Sequence, residues 1–325
     1  MKISIIVPVY NSSATLITCI KSLLLQTIQD IEIIIVNDSS TDNSYAIMES
    51  LKEHFPEKIK ITSTPKNLGA GGARNLGLTL ATGDYIGFVD SDDIVDSTMY
   101  QKLYNEAIRT DYDIIDCGFY REENELAIIY ASDELCGILD DHKRNELIAS
   151  GGYIVTKLFK REFFFNHDFT FRNNTILEDS EIIAYAFATA RSIGNVKEVL
   201  YIYKYYPSSS SKTVEPNKYF KACFDAINAI YSKLSPLHNF EALKPSIEYE
   251  MIQMYYLALK CCIIHLNIKN FDARRNLEIL RDFRLKNISM SYNNKYIQNK
   301  ISQEDIKLMS LLDHSVDLLI TNVSS

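Results

Sequence analysis

The chain has 325 residues, 46% hydrophobic and 23% charged, with 7 Pro and 11 Gly. That profile excludes disorder, collagen-like repeats and a disulfide scaffold, and the length suits one large domain with an appendage, or two modest ones. A formal charge of −8 and a pI of about 5.4 argue against a nucleic-acid binder relying on bulk positive charge.

The first third alternates short β-branched runs with helical stretches. Ile3–Val9 is a continuous apolar run, and Leu16, Cys19, Ile20, Leu23 and Leu24 then recur at helical spacing. Ile31–Val36 is a second run, followed by Asn37-Asp38-Ser39-Ser40 and a helix to about residue 54. Ile59–Thr62 is a third, followed by a glycine-rich turn and a helix through Leu80. Tyr85–Val89 is a fourth, ending at Asp90-Ser91-Asp92-Asp93. Near-continuous apolar strands separated by helices imply parallel pairing with both sheet faces covered, an α/β fold. The polar residues cluster just after the strands, where open α/β sheets bind ligands.

Beyond residue 111 the pattern is mixed. Asp113–Cys117 and Leu126–Tyr130 read as strands, Glu178–Arg191 as an amphipathic helix, and Val199–Tyr205 as aromatic and β-prone. The run Tyr206-Pro207-Ser208-Ser209-Ser210-Ser211-Lys212 marks a flexible loop and a domain edge. Helical periods follow Pro216 and again Pro245, and a last amphipathic helix spans roughly 303–320. This divides the chain at about residue 215. The front holds 20 basic against 31 acidic side chains, and residues 216–325 hold 14 against 11, a balance of +3.

The six cysteines, Cys19, Cys117, Cys136, Cys223, Cys261 and Cys262, show neither CxxC nor zinc spacing. They read as buried thiols in a reducing compartment. The N-terminus reads as too soon interrupted for a secretory signal, and no apolar run approaches a membrane span. The expected location is the cytoplasm, with the inner face of the membrane open to it.

Asp90-Ser91-Asp92 places two carboxylates where the chain leaves a buried strand, an arrangement that suits Mg²⁺ or Mn²⁺ together with substrate phosphates. The plainer alternative is turn chemistry, with Asp93 or Asp96 capping the next helix. Asp38 could accept from a ring N–H of a base, or serve a turn. Gly69-Ala70-Gly71-Gly72-Ala73-Arg74-Asn75 offers close backbone approach and a cation, or simply a helix entry. It is not a dinucleotide fingerprint, because Arg74 stands where the third glycine belongs. Glu178-Asp179 opens a helix, where Thr175 with Glu178 fits a capping box. A carboxylate there could equally take a proton from an attacking hydroxyl.

Taken together, Ser4–Asn11, Ser22-Leu23 with Gln26-Thr27, Glu32–Asp42, Asn67-Leu68-Gly69 with Ala73-Arg74-Asn75, and Gly83–Ile86 with Asp90–Asp93 resemble the family 2 glycosyltransferases. The likeness is close over residues 3–95, looser to about 211, and stops there. It implies a GT-A fold, a Rossmann-like, mostly parallel central sheet flanked by helices, over residues 1–215. Residues 216–325 form a helical C-terminal region of unassigned role.

The resemblance further implies inverting transfer from a nucleoside-diphosphate sugar, a UDP-sugar, with Mn²⁺ or Mg²⁺, to a glycan or lipid-linked acceptor in cell-surface polysaccharide synthesis. Pro8, Tyr10, Asp38, Arg74, Asp90, Ser91 and Lys212 would line the nucleotide-sugar site. Asp92, with Asp90, would hold the metal. Asp179 would be the general base, with Glu178 beside it. Asn37-Asp38 departs from the usual Asp-Asp of relatives, which bears on base selectivity. Lys212 would ride on a loop closing over the diphosphate. A sugar nucleotidyltransferase and an inactive scaffold are the alternative readings. Peripheral membrane contact and a homodimer are both open to the helical rear, and no nucleic-acid partner is expected.

Overall fold

The computed structural model describes residues 1–129, 132–206, 215–264, 271–288 and 294–324. The chain divides into two compact units, Met1–Lys143 with Ser150–Pro207, and Arg144–Ala149 with Ser208–Ser325. The serine run and Lys212 lie outside the described residues.

The first unit is built on one mixed sheet. Its strands are β1 (Ile3–Val9), β2 (Ile31–Asn37), β3 (Ile59–Ser63), β4 (Tyr85–Phe88), β5 (Ile94–Val95), β6 (Ile114–Arg121), β7 (Leu126–Ile128), β8 (Gly137–Ile138), β9 (Lys157–Lys160) and β10 (Ser192–Tyr203). The order across the sheet is β3-β2-β1-β4-β9-β6-β10-β5, with β7 on β6 and β8 on β10. The longest pairings are parallel: β1 with β2, β2 with β3, and β6 with β10. The short strand β9 departs from the parallel expectation, running antiparallel to both β4 and β6.

Every residue of β1 and β2 is buried, as the continuous apolar runs require of strands covered on both faces. Pro8 is tolerated inside β1 for a geometric reason. Ile6 O accepts from Val89 N on the β4 side, and Val9 O from Asp38 N on the β2 side. Pro8, two residues beyond Ile6, therefore turns its nitrogen toward β4, whose pairing has already ended at Ile6↔Phe88. No ladder bond is forfeited.

The helix Gly69–Leu78 begins at the first glycine rather than after a glycine turn. Gly69 takes a left-handed φ of 75°. Gly71 is required by a close approach, since a β-carbon there would lie 2.2 Å from the Arg172 carbonyl oxygen. The room these glycines make is thus occupied by the chain itself.

The second unit is helical throughout its elements. Pro216–Leu234 is capped by Glu215, whose side chain accepts from the Asn217 and Lys218 N–H groups. Phe240–Ile264 begins five residues before the Pro245 start expected from the pattern. Pro245 sits inside it and deprives the Glu241 carbonyl of its i+4 donor. Phe271–Asn287 and Lys295–Lys300 follow. The expected tail helix is two, Gln303–His314 and Val316–Ser324, because extended Ser315 interrupts them and its hydroxyl accepts from Leu318 N. Among the described residues no helix is long and apolar enough to cross a membrane.

The Gly71 contact yields a stability test. Gly71→Ala is expected to cost about 1–3 kcal/mol through overpacking against backbone. Urea denaturation should show a lower midpoint at unchanged slope, and an unmoved midpoint would contradict the tight approach.

Candidate active site

Three strand ends converge on one rim. After β1 the chain turns at Asn11, in a left-handed conformation with φ 50°. The Asn11 Oδ1 accepts from Thr41 N at 2.7 Å and from Asp42 N at 3.3 Å, pinning the turn after β2. Ser12 Oγ and Ser91 Oγ lie 2.7 Å apart, and Thr15 Oγ1 donates to Ser91 O at 3.0 Å, pinning the turn after β4. Ser91 is therefore buried and occupied in joining strand ends. Pro8 is buried one step below the rim, whereas Tyr10 is 48% exposed on it.

Asp38 is only 2% exposed. Its Oδ1 accepts from Thr64 Oγ1 at 2.7 Å and from Leu68 N at 2.8 Å, and its Oδ2 accepts from Gly69 N at 2.7 Å. It thus caps the helix Gly69–Leu78 from thirty residues away, placing a negative charge at the N-terminus. This work within the protein differs from the base contact expected of it. Asn37 contributes through its Oδ1, which accepts from Ser40 N at 3.0 Å.

Arg74 stays at the rim but is no free cation. It is 4% exposed, its Nη2 donates to Asp90 Oδ1 at 2.7 Å, and its Nη1 donates to Glu178 Oε1. Its guanidinium stands 5.6 Å from the Phe171 ring centroid. Burial alone would lower its pKa, but the charges of Asp90, Glu178 and Asp179 raise it. Asn75, the next residue, exchanges two hydrogen bonds with the Phe171 backbone, at 2.9 and 3.0 Å.

Those contacts dock the segment 171–179. Arg172 binds Glu181 through two nitrogens, at 2.7 and 3.1 Å, and donates to Leu177 O at 2.6 Å. Leu177 is left-handed, with φ 59°, which bulky residues seldom adopt. The expected capping box does not form, because Glu178 is turned to Arg74. The helix Ser180–Thr189 instead has Asp179 at its N-cap position, with no side-chain capping bond.

Asp179 consequently faces a pocket of about 50 Å³ that it shares with Arg74 and Asp90. Burial pushes its pKa up to about 7, with Glu178 adding to the rise and Arg74 opposing it. The rest of the lining is Phe119, Tyr153, Ile154, Val155, Tyr201 and Tyr203. No motif pointed to this apolar wall; the aromatic richness of Val199–Tyr205 was the one sequence signal for part of it.

Asp90, Asp92 and Asp93 leave β4 together. Burial, then the Asp90 charge, pushes Asp92 up to about 6. Asp93, also raised by burial, accepts from Tyr201 Oη at 2.6 Å and Lys204 N at 2.9 Å, so it fastens the end of β10 and caps no helix. Among the described residues no three His, Cys, Asp or Glu side chains form a ready metal cage. The donor set nevertheless fits a hard divalent cation, which takes one or two carboxylates and completes its shell with water and substrate phosphates. With Asp90 held by Arg74, Asp92 is the less committed carboxylate of the pair.

The family model "Glycosyl transferase family 2" matches residues 4–178. Glycosyltransferase EpsJ of Bacillus subtilis is 36% identical over 215 residues, 64% of this chain and 62% of that relative's length. EpsH of the same organism is 30% identical over 290 residues, 86% of this chain and 81% of the relative. Residues 1–349 of S. aureus TarS, in complex with UDP-GlcNAc, superpose with a TM-score of 0.74 at 20% identity, covering 99% of this chain and 89% of that one.

The buried arginine offers a measurement. Arg74→Met leaves Glu178 and Asp90 without their cation and should destabilise by about 3–5 kcal/mol. The deficit should be larger at pH 8 than at pH 5, because protonation relieves the unpaired carboxylates. Equal urea midpoints for variant and parent at pH 8 would refute the bridge.

Proposed function

The chain belongs to glycosyl transferase family 2, and from that membership we propose inverting transfer of a sugar from a UDP-sugar to a hydroxyl of a glycan or lipid-linked acceptor in cell-surface polysaccharide synthesis. The observation that carries it is the pocket joining Asp179, shifted to about 7, with Asp90 and Arg74 beside Asp92. Family membership favours sugar transfer over nucleotidyl transfer. The UDP-GlcNAc complex of TarS supports the donor class.

The donor's base lies at the ends of β1 and β2, where the exposed Tyr10 ring offers a stacking face. Asp38 serves that site by holding the 64–69 loop. Asp92, with Asp90 beside it, would hold Mn²⁺ or Mg²⁺, which when bound supplies charge neutralisation for the leaving diphosphate. Arg74 and Glu178 hold Asp90 and the 178–179 segment at fixed separation.

Asp179 takes the proton of the acceptor hydroxyl as its oxygen bonds to the anomeric carbon and the bond to the diphosphate breaks. Single displacement inverts the anomeric centre. A base with a pKa near the working pH is both ionised and basic enough for this transfer. Glu178, fastened to Arg74, is a positioning and charge-setting neighbour rather than a second base.

Asp179→Asn should abolish transfer while UDP affinity stays within a few-fold; near-normal turnover would sink the assignment. In the parent enzyme kcat/KM should fall as pH drops through about 7, since only ionised Asp179 accepts the proton. A flat profile between pH 5.5 and 8 would contradict the base. Asp92→Ala should lose metal-dependent donor binding in calorimetry, and unchanged affinity with Mn²⁺ would overturn the metal assignment.

A further inference from the structure

The pocket that holds Asp179 has an aromatic wall, and a second arginine is fastened to it. Arg121 ends β6, and its guanidinium lies 5.9 Å from the ring centroids of both Phe119 and Tyr203. Its Nη2 donates to the Tyr153 hydroxyl at 2.6 Å. All three rings line the pocket. Yet Arg121 has no carboxylate within ion-pairing distance among the described residues, and its Nε is buried without an acceptor. Its acidic neighbour Glu122 is already engaged, by Lys204 Nζ and by Tyr205 N at 3.0 Å.

The contrast with Arg74 is informative. Arg74 has a carboxylate on each terminal nitrogen, and it ties the protein together. Arg121 is held by rings and one hydroxyl, in a unit rich in acidic residues, and has no counter-charge among the described residues. Arginine cannot shed its proton to relieve this. A fixed, partly buried guanidinium with unused donors is matched by an anion, and its fork fits phosphate oxygens best. The donor's diphosphate is assigned to the divalent cation that Asp92 and Asp90 would hold, so this anion belongs to the other substrate.

We propose that Arg121, fixed by Phe119, Tyr203 and the Tyr153 hydroxyl, forms an acceptor subsite for a phosphate group carried next to the hydroxyl that is glycosylated. The inference rests on the reading of the Asp179 pocket as the place where the acceptor hydroxyl reacts. The phosphate has two sources of the same chemistry, a phosphodiester within a polyol-phosphate chain or the diphosphate of a lipid-linked acceptor.

The test titrates the full chain, with UDP and Mn²⁺ present, against four probes. These are a glycerol-phosphate phosphodiester dimer, farnesyl diphosphate, and their phosphate-free counterparts glycerol and farnesol. The parent chain should bind one phosphate probe at least tenfold more tightly than its neutral counterpart. Arg121→Gln should erase most of that ratio, and Arg121→Lys should restore part of it. Tyr153→Phe, which removes only the hydroxyl that orients the guanidinium, should weaken the same probe several-fold and covers the case in which Arg121→Gln fails to fold.

Preference for the dimer identifies a polymer phosphate, and preference for farnesyl diphosphate a lipid one. Equal affinity for charged and neutral probes overturns the subsite, as does an Arg121→Gln chain that keeps the parent's ratio. A UDP titration of each chain separates the two readings. Failure of the parent to bind UDP defeats the nucleotide-sugar assignment, whereas normal UDP binding with no phosphate preference defeats only the subsite.

Discussion

The site depends on one buried cation. Arg74 projects from the helix Gly69–Leu78 and holds Asp90, at the exit of β4, together with Glu178, 104 residues beyond Arg74 itself. Glu178, with its side chain only 10% exposed, is costly to bury as a charge without a partner, and the same cation reaches the half-buried Asp90. The guanidinium therefore fixes the distance between the strand end and the loop that carries Asp179. The adjacent Asn75 fastens the same loop by its backbone at Phe171, and Gly71 makes room for it. One short helix is the platform on which a distant segment is assembled.

That arrangement gives neighbouring acids different work. Glu178 is neutralised by Arg74, while Asp179 is left facing the pocket, where burial and the charge of Glu178 push it up to about 7. Among the three aspartates after β4, Asp90 is paired, Asp93 is fastened to Tyr201, and Asp92 stays less committed. Role follows from which side chain already has a partner. The partnered side chains fix where the unpartnered ones sit.

Much of this was legible before any coordinate. The runs at Ile3–Val9 and Ile31–Val36 are strands because only a strand buried on both faces tolerates unbroken β-branched sequence. Polar residues placed just past such runs had to meet at one edge of a parallel sheet. Local signals failed where distant groups competed with them. The Thr175–Glu178 capping pattern is present, but Arg74 offers Glu178 a stronger, charged partner. Asp38 resembled a local turn residue and instead caps another helix. The glycine run looked open to a ligand and is filled by Arg172's carbonyl.

The sequence alone therefore determined the α/β framework, the rim of acids and the identity of the family, because periodicity and motif spacing are local properties of the chain. Tertiary structure decided which of those acids are engaged, that Arg74 is a strut while Arg121 is held by rings and a hydroxyl, and that an aromatic wall from β6, β10 and Tyr153 faces Asp179. Those outcomes depend on pairings such as Arg74 with Glu178, 104 residues apart, and Tyr201 with Asp93, 108 apart, and on the burial they produce. Burial and pairing set the charge state of a carboxylate, and neither is written in its immediate neighbours.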